Sequence, residues 1–314
     1  MSVASADTGF YQQNSGSQGT QITQFDGTSS PIFVETEING VKYQTFQFNN
    51  TIDDDFKLFV TADSNKWDSN GFGKKGQLNI QSNSMLVSNQ GLAMGNQGTG
   101  TLTLDLWTNK NDKSQKSFIL DLSNITDLQS YAFYGNLDVT GSSSGSAEDY
   151  SNKTVNLKLG GKGIKGNVTF NSLGKSNLIF SDGAGIEGNI TVSKGINTLT
   201  FNGSNRTYSG NITISGGTTT FLGLTSFQVI ASNKNLINIG NGQSVTVNFG
   251  SDTNKVNNFI ATFNSNARDG NARVYLNFNN ISNTLVGNIS SSEDTSYGVA
   301  QTTVTFRGTQ ENKI

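Results

Sequence analysis

The sequence contains neither cysteine nor histidine, and its only proline is Pro31. Without cysteine, no disulfide framework can hold the chain together. Without histidine, there is no imidazole metal ligand and no side chain whose ordinary pKa lies near neutrality. Charged residues make up 14% of the 314 residues and the net charge is −2, so no basic surface favours nucleic acid as a partner. No apolar run approaches the roughly 18 residues that a transmembrane helix needs.

What the chain has in quantity is glycine, with 36 residues, together with many Asn, Ser and Thr residues and 20 Phe. The hydrophobic fraction of 33% is low, and low hydrophobicity raises the question of disorder. Disordered chains, however, are poor in aromatic residues and rich in proline, which is the opposite of this composition. Small polar residues that alternate with Val, Ile, Leu and Phe indicate many short strands separated by tight turns.

Two short patterns recur along the sequence. The first is Gly-Asn followed by an aliphatic residue, and it occurs at Gly135-Asn136-Leu137, Gly166-Asn167-Val168, Gly188-Asn189-Ile190, Gly210-Asn211-Ile212 and Gly287-Asn288-Ile289. The second is a short alternating segment that ends in Phe or Leu, and it occurs at 155–159, 177–180, 198–201, 218–221, 245–249, 274–278 and 303–306. Both patterns return after about 20–30 residues, which is the length of one coil of a parallel β-helix.

This period predicts an all-β fold in which each coil contributes two or three strands and lies about 4.8 Å from the next. We expect Phe180, Phe201 and Phe221 to stack as a ladder inside the solenoid, and Ile190 and Ile212 to line another wall. The Gly-Asn pairs are expected at a corner, where Gly tolerates positive φ and where Asn side chains can bond along the stack. An antiparallel sandwich is the alternative, but it would not require Gly-Asn at a repeated 22-residue interval.

The first 75 residues do not share the repeat. The segment 32–48 alternates around Asn39-Gly40, which is a strong signal for a two-residue hairpin. Terminal repeats of solenoids are usually atypical caps. We therefore predict an N-terminal β cap at 1–75, which contains the hairpin, and about ten β-helical rungs at 76–314.

Two features of the sequence resemble a known family. They are the segment from Gly95 to Trp107 and the pattern of Phe followed by Gly-Asn-Ile-Thr from Phe201 to Thr213. Together they resemble the passenger domains of type V autotransporters, especially the vacuolating-cytotoxin-like passengers of epsilonproteobacteria. The resemblance covers residues 76–314 and implies a right-handed parallel β-helix that is exported to the bacterial surface or released from it. The lack of cysteine is typical of such passengers.

The chain departs from this family in two respects. We expect no C-terminal β-barrel within these 314 residues, and residues 1–31 are polar where the pore-forming toxin has an apolar segment rich in glycine. We therefore expect a non-enzymatic passenger that binds a protein or glycan on a host or neighbouring cell, without inserting into membranes and with no cofactor. The alternatives left open are an oligomerising toxin subunit, a self-assembling filament subunit that pairs through the solenoid ends, and a glycan-active β-helix enzyme.

The candidate sites for chemistry are few. The run Asp53-Asp54-Asp55 is interpreted as a solvated turn, because three consecutive carboxylates do not converge on one ion. A glycosidase would need two facing carboxylates, and the doublets Glu148-Asp149 and Glu293-Asp294 are interpreted as parts of loops at 141–151 and 290–296. The basic cluster of Arg268-Asp269 and Arg273 is interpreted as turn residues. No catalytic, cofactor-binding or metal-binding residue is predicted. The candidates for a contact surface are amphipathic aromatic residues: Trp67, Trp107, Tyr131, Tyr134 and Tyr150.

Overall fold

The computed structural model describes residues 11–12, 20–21, 32–48, 75–80, 83–88, 91–94, 100–107, 110–141, 145–146, 148–202, 206–208, 210–223, 226–229, 237–239, 245–250, 256–260, 263–267, 273–279, 281–286, 289–293 and 301–307. The helical structure within these ranges is one 3-10 turn, Glu148–Tyr150, and the remaining regular structure is β-strand. The protein is therefore nearly all β, as the sequence predicts.

The first strands are β1 (Tyr11–Gln12), β2 (Thr20–Gln21), β3 (Ile32–Ile38), β4 (Val41–Phe48) and β5 (Lys75–Ile80). The next twelve are β6 (Ser84–Ser88), β7 (Leu92–Ala93), β8 (Thr101–Leu106), β9 (Lys116–Leu122), β10 (Phe133–Tyr134), β11 (Asn136–Gly141), β12 (Lys153–Leu159), β13 (Gly163–Lys165), β14 (Val168–Phe170), β15 (Lys175–Phe180), β16 (Gly185–Glu187) and β17 (Ile190–Val192). The remaining strands are β18 (Ile196–Phe201), β19 (Arg206–Tyr208), β20 (Ile212–Ile214), β21 (Gly217–Leu222), β22 (Ser226–Val229), β23 (Ile237–Ile239), β24 (Val245–Phe249), β25 (Val256–Ile260), β26 (Phe263–Ala267), β27 (Arg273–Asn279), β28 (Ile281–Val286), β29 (Ile289–Glu293) and β30 (Gln301–Arg307).

From β6 onward the strands follow one another around three walls. Wall 1 is the sheet β3-β4-β6-β9-β12-β15-β18-β21-β24-β27-β30. Wall 2 consists of the sheets β7-β10-β13-β16 and β19-β22-β25-β28, of which β16 and β19 lie side by side. Wall 3 is the sheet β5-β8-β11-β14-β17-β20-β23-β26-β29. Within the described residues the chain completes eight coils, each with one strand in every wall.

All strand pairings between successive coils are parallel, and in the part of the chain described here the antiparallel strand pairs are β1–β2 and the β3–β4 hairpin. The fold is therefore a β-solenoid, and the antiparallel sandwich is ruled out. The predicted strands that end in Phe or Leu occupy seven consecutive positions in wall 1, from β12 to β30. Ile190 and Ile212 are partners in wall 3 and are both buried, as predicted.

Alternation along each strand builds the core. In β8, for example, Leu102, Leu104 and Leu106 are buried, whereas the residues between them are partly exposed. In a parallel stack, the same position in each coil lies over its partner, so a buried position forms a continuous apolar column. The inward columns of the three walls meet in one hydrophobic core that continues from Leu86 to Phe278.

The Gly-Asn corner between walls 2 and 3 has the predicted structure. Gly166 and Gly188 have φ values of +145° and +156°, and an added Cβ atom would lie within 2.2 Å of the carbonyl oxygen of the preceding corner glycine. The asparagines form a ladder in which each side-chain oxygen accepts a hydrogen bond from the backbone N–H of the next asparagine. The bonds link Asn136 to Asn167 at 3.0 Å, Asn167 to Asn189 at 2.9 Å and Asn189 to Asn211 at 2.9 Å.

The phenylalanine ladder differs from the prediction. Phe180 and Phe201 stack with their ring centroids 5.0 Å apart, but Phe221 pairs with Leu199 instead of Phe201. The register between β18 and β21 is 22 residues, whereas Phe201 and Phe221 are only 20 residues apart. Side chains on the same face of a strand recur every second residue, so a shift of two residues leaves Phe221 pointing inward. It then lies in the column of Leu199, next to the column of Phe201. It begins a second ladder with Phe249, Phe278 and Phe306, at centroid distances of 5.3, 5.1 and 5.2 Å.

Two further expectations have clear outcomes. The hairpin is confirmed: β3 and β4 pair antiparallel around Asn39 and Gly40, both of which have positive φ. Its second strand, β4, also pairs in parallel with β6, so the hairpin belongs to wall 1. The interpretation of 290–296 as a loop is wrong for residues 290–293, which belong to β29 and pair in register with β26.

Candidate binding surface

Three long connections distinguish the early coils from the later ones. Residues 107–115 and 142–152 connect wall 3 to wall 1, and residues 123–132 connect wall 1 to wall 2. In the next coils, the equivalent corners need only the short turns 171–174, 193–195, 160–162 and 181–184. Insertions into solenoid repeats project from the stack and often form the binding face. These coils are therefore where a functional surface is expected.

The two connections at the wall 3 to wall 1 corner bind each other. The ammonium of Lys113 contacts Asp149 at 3.1 Å, and the side-chain amide of Asn152 donates to the carbonyl oxygens of Lys113 and Ser114. The backbone N–H of Ser146 and the Lys113 ammonium bond to Asp149 and hold the pKa of its carboxyl at about 2. Asp149 therefore fixes the conformation of the connection 142–152. It lies within the loop at 141–151 that the sequence predicts.

The third connection, 123–132, turns back onto wall 2. Asp127 accepts hydrogen bonds from the backbone N–H of Gln129 at 2.8 Å and from the hydroxyl of Ser130 at 2.6 Å, which closes the turn. Leu128 at the tip is 52% exposed, the larger value of the two exposed large apolar side chains among the described residues. The turn places Tyr131 against the outer face of wall 2.

There Tyr131 joins four other side chains, which we call the tyrosine patch: Tyr131, Tyr134, Lys162, Lys165 and Glu187. Tyr134, Lys165 and Glu187 are register partners on β10, β13 and β16, so three consecutive coils place them in one outward column. The rings of Tyr131 and Tyr134 meet edge to face, with their centroids 5.0 Å apart. The hydroxyl of Tyr131 donates a hydrogen bond to Glu187, two coils away.

The two lysines surround the tyrosine rings. The ammonium of Lys162 lies 5.5 Å from the centroid of Tyr131, and that of Lys165 lies 5.7 Å and 5.8 Å from the centroids of Tyr131 and Tyr134. These distances are within the range of cation–π attraction. Lys165 also contacts Glu187 at 3.6 Å. The patch is therefore a connected arrangement whose rings are held in place by charged neighbours.

The hydrogen bond from Tyr131 shifts the pKa values of both of its partners. It raises the pKa of Tyr131 to about 12, because the hydroxyl must keep its proton to donate to the Glu187 carboxylate. The same bond lowers the pKa of Glu187, and Lys165 adds a smaller effect in the same direction. At neutral pH the patch thus combines the hydrogen-bonded pair of Tyr131 and Glu187 with the phenol of Tyr134, two ammonium groups and two aromatic rings. This combination recognises polar ligands that also have apolar faces.

The structure separates the predicted aromatic candidates. Tyr131 and Tyr134 are partly exposed and in contact, whereas Trp107 and Tyr150 are 3% and 1% exposed and belong to the interior. Trp67 lies outside the described residues. Sequence reasoning missed Lys162, Lys165 and Glu187 as members of the surface. The signal was present, because Lys165 and Glu187 each precede a Gly-Asn pair and are 22 residues apart, so they occupy the same position of successive coils.

The other candidates add nothing to this surface. The runs Asp53-Asp54-Asp55 and Arg268-Asp269 lie outside the described residues, and Arg273 is an exposed residue at the start of β27. In the part of the chain that the structure describes, no group of three or more His, Cys, Asp or Glu residues is placed to hold a metal ion. No helix within the same ranges is long and apolar enough to cross a membrane.

Comparison with known proteins gives no assignment: no family model, no curated protein and no solved structure matches this chain.

Proposed function

We propose that this protein is a non-enzymatic autotransporter passenger, displayed on or released from a bacterial surface, that adheres to a host or neighbouring cell. The proposal includes a right-handed winding of the coils and an N-terminal β cap at residues 1–75. The partner is a protein or glycan of the cell surface. The observation that carries the proposal is the tyrosine patch, because it brings aromatic and charged side chains together on the coils that carry the insertions.

The patch suits adhesion for three physical reasons. Tyrosine offers a large contact area with few rotatable bonds, so it loses little entropy on binding. Its rings are already oriented by Glu187 and the lysines, and this preorganisation lowers the cost of association. Lys165 and Glu187 are 47% and 56% exposed, so they remain accessible to a partner.

The test measures binding of the purified chain to cultured epithelial cells and to immobilised cell-surface glycoprotein, with and without enzymatic deglycosylation. Tyr134→Ala and Lys165→Ala remove patch side chains without breaking the Tyr131–Glu187 bond. The matched controls are Tyr275→Ala, a partly exposed tyrosine on the outer face of wall 1, and Lys158→Ala, a lysine paired with Asp121 at 3.1 Å. Circular dichroism verifies that all four variants fold.

We expect each patch variant to weaken binding at least about tenfold, which corresponds to about 1.4 kcal/mol, and each control to bind like the wild type. Loss of binding after deglycosylation would identify a glycan, and retention would identify a protein. If the patch and control variants bind equally well, the patch is not the adhesive surface and the proposal loses its support.

A further inference from the structure

The interior of wall 1 contains a polar segment between two apolar ones. One inward column passes through Phe118 and Val155, then through Ser176, Asn197 and Thr219, and then through Val247 and Leu276. All seven side chains are buried. The polar members are consecutive register partners on β15, β18 and β21, so they lie directly over one another.

Each of these three polar side chains has an oxygen without a hydrogen-bond partner in the protein. The atoms are Ser176 Oγ, Asn197 Oδ1 and Thr219 Oγ1, in side chains that are 1%, 0% and 0% exposed. The Asn197 amide nitrogen donates to the carbonyl oxygen of Lys194 at 2.8 Å, which leaves Oδ1 as an acceptor. Buried polar groups in folded proteins almost always have a partner, and bound water supplies it where the protein does not.

Glycine accompanies each member of the polar column. Two positions before each polar residue lies Gly174, Gly195 or Gly217, and the backbone of the preceding coil would lie within 3.1 Å of a Cβ atom placed there. The polar part of the column ends at Val155 on one side and at Val247 on the other, and both valines are 0% exposed. The polar strip is therefore enclosed between apolar ends.

The spacing of the coils fits water. Register partners in adjacent coils are about 4.8 Å apart, and side-chain oxygens that keep this separation are too far apart for a direct hydrogen bond. A water molecule about 2.8 Å from each of two oxygens at that separation makes an angle of about 118° between its two bonds, close to the preferred geometry. A serine or threonine hydroxyl can donate to or accept from such a water, and Asn197 Oδ1 can accept from it.

We propose that the solenoid encloses an ordered file of at least two water molecules, one between Ser176 and Asn197 and one between Asn197 and Thr219. The occupant is water and not a cation for two reasons. All three ligand atoms are neutral oxygens, and the charged side chain that faces the same interior edge of wall 1, Lys153, is itself cationic. Desolvation lowers the pKa of Lys153, while its ammonium still contacts Asp112 at 3.8 Å and donates to the carbonyl oxygen of Ser114.

The test combines a direct and an energetic measurement on the full chain. A crystal structure should show two solvent peaks within about 3.2 Å of the three oxygens, and oxygen-17 relaxation dispersion in solution should detect the same long-lived waters. Thr219→Val removes one water ligand with little change in shape. It should remove one water and lower the thermal midpoint by several degrees. Thr218→Val, on the outer face of the same strand, is the matched control and should change neither quantity.

Two results would overturn the inference. A dry interior, with Thr219→Val as stable as the wild type or more stable, would mean that the three oxygens are simply unsatisfied, since replacing such a group by an apolar one relieves its cost. A thermal midpoint that rises with sodium or potassium chloride, but not with choline chloride at equal ionic strength, would mean that a metal cation occupies the strip.

Discussion

Replacing Phe249 with leucine tests whether the second phenylalanine ladder stabilises the solenoid. Phe249 is fully buried, and its ring stacks on Phe221 at 5.3 Å and on Phe278 at 5.1 Å, with interplanar angles of 7° and 14°. Leucine keeps most of the apolar volume but loses both ring contacts. Each aromatic pair contributes about 0.5–1.5 kcal/mol beyond its buried area. We therefore expect Phe249→Leu to lower the free energy of unfolding by about 1–3 kcal/mol.

The same substitution at Phe201 provides the control. Phe201 stacks on one ring, Phe180, because its neighbour in the next coil is Gly223. Phe201→Leu should therefore cost about half as much, about 0.5–1.5 kcal/mol. Solenoids can unfold in sections, so hydrogen exchange of the amides in each strand and its neighbours is the appropriate assay, alongside urea unfolding followed by circular dichroism. A cost at Phe201 equal to or greater than that at Phe249 would refute the assignment of two separate ladders.

Three further predictions concern the corner, the patch and the membrane. Asn189→Ala removes the oxygen that accepts a hydrogen bond from the Asn211 N–H, so it should lower the free energy of unfolding by about 0.5–1.5 kcal/mol. Asn189→Asp keeps an acceptor at this position and should cost less. Equal losses for the two variants in thermal unfolding would argue against the ladder. Because the pKa of Glu187 is lowered on folding, its contribution is present above its ordinary pKa of 4.5 and is lost as pH falls below that value. Glu187→Gln should therefore flatten the acid side of the stability profile, and an unchanged profile would mean that the Tyr131 bond contributes nothing. Finally, the purified chain should release no dye from protein-free liposomes at neutral or acid pH, and release would favour the toxin alternative over adhesion.

Much of the fold can be predicted from the sequence, because each coil of a solenoid repeats the same local structure. Alternating residues decide which side chains point inward, and Gly-Asn marks the corner at 135–136, 166–167, 188–189 and 210–211. The intervals between these marks give the coil length, so parallel stacking and the wall 1 strands could be predicted without any long-range information. The hairpin at Asn39-Gly40 was equally local, since the turn residues themselves specify it.

The partners within the phenylalanine ladders could not be predicted from neighbouring residues in this way. The sequence identifies Phe201 and Phe221 as inward residues, but which residue faces which depends on the register between β18 and β21. That register depends on the whole connection around the other two walls, including strands of different lengths. Spacing in one wall alone therefore predicted the correct face and the wrong column.

The candidate surface shows the same limit. Tyrosines were identifiable as amphipathic residues, yet burial separated Tyr131 and Tyr134 from Tyr150 and Trp107. The contact between Tyr131 and Glu187 joins residues 56 positions apart, because an insertion loop returns across two coils. The sequence by itself determined the repeat, its corners and its inward faces, because these depend on neighbouring residues. Only the tertiary structure decided the partners across coils, because these depend on how the coils align along the stack.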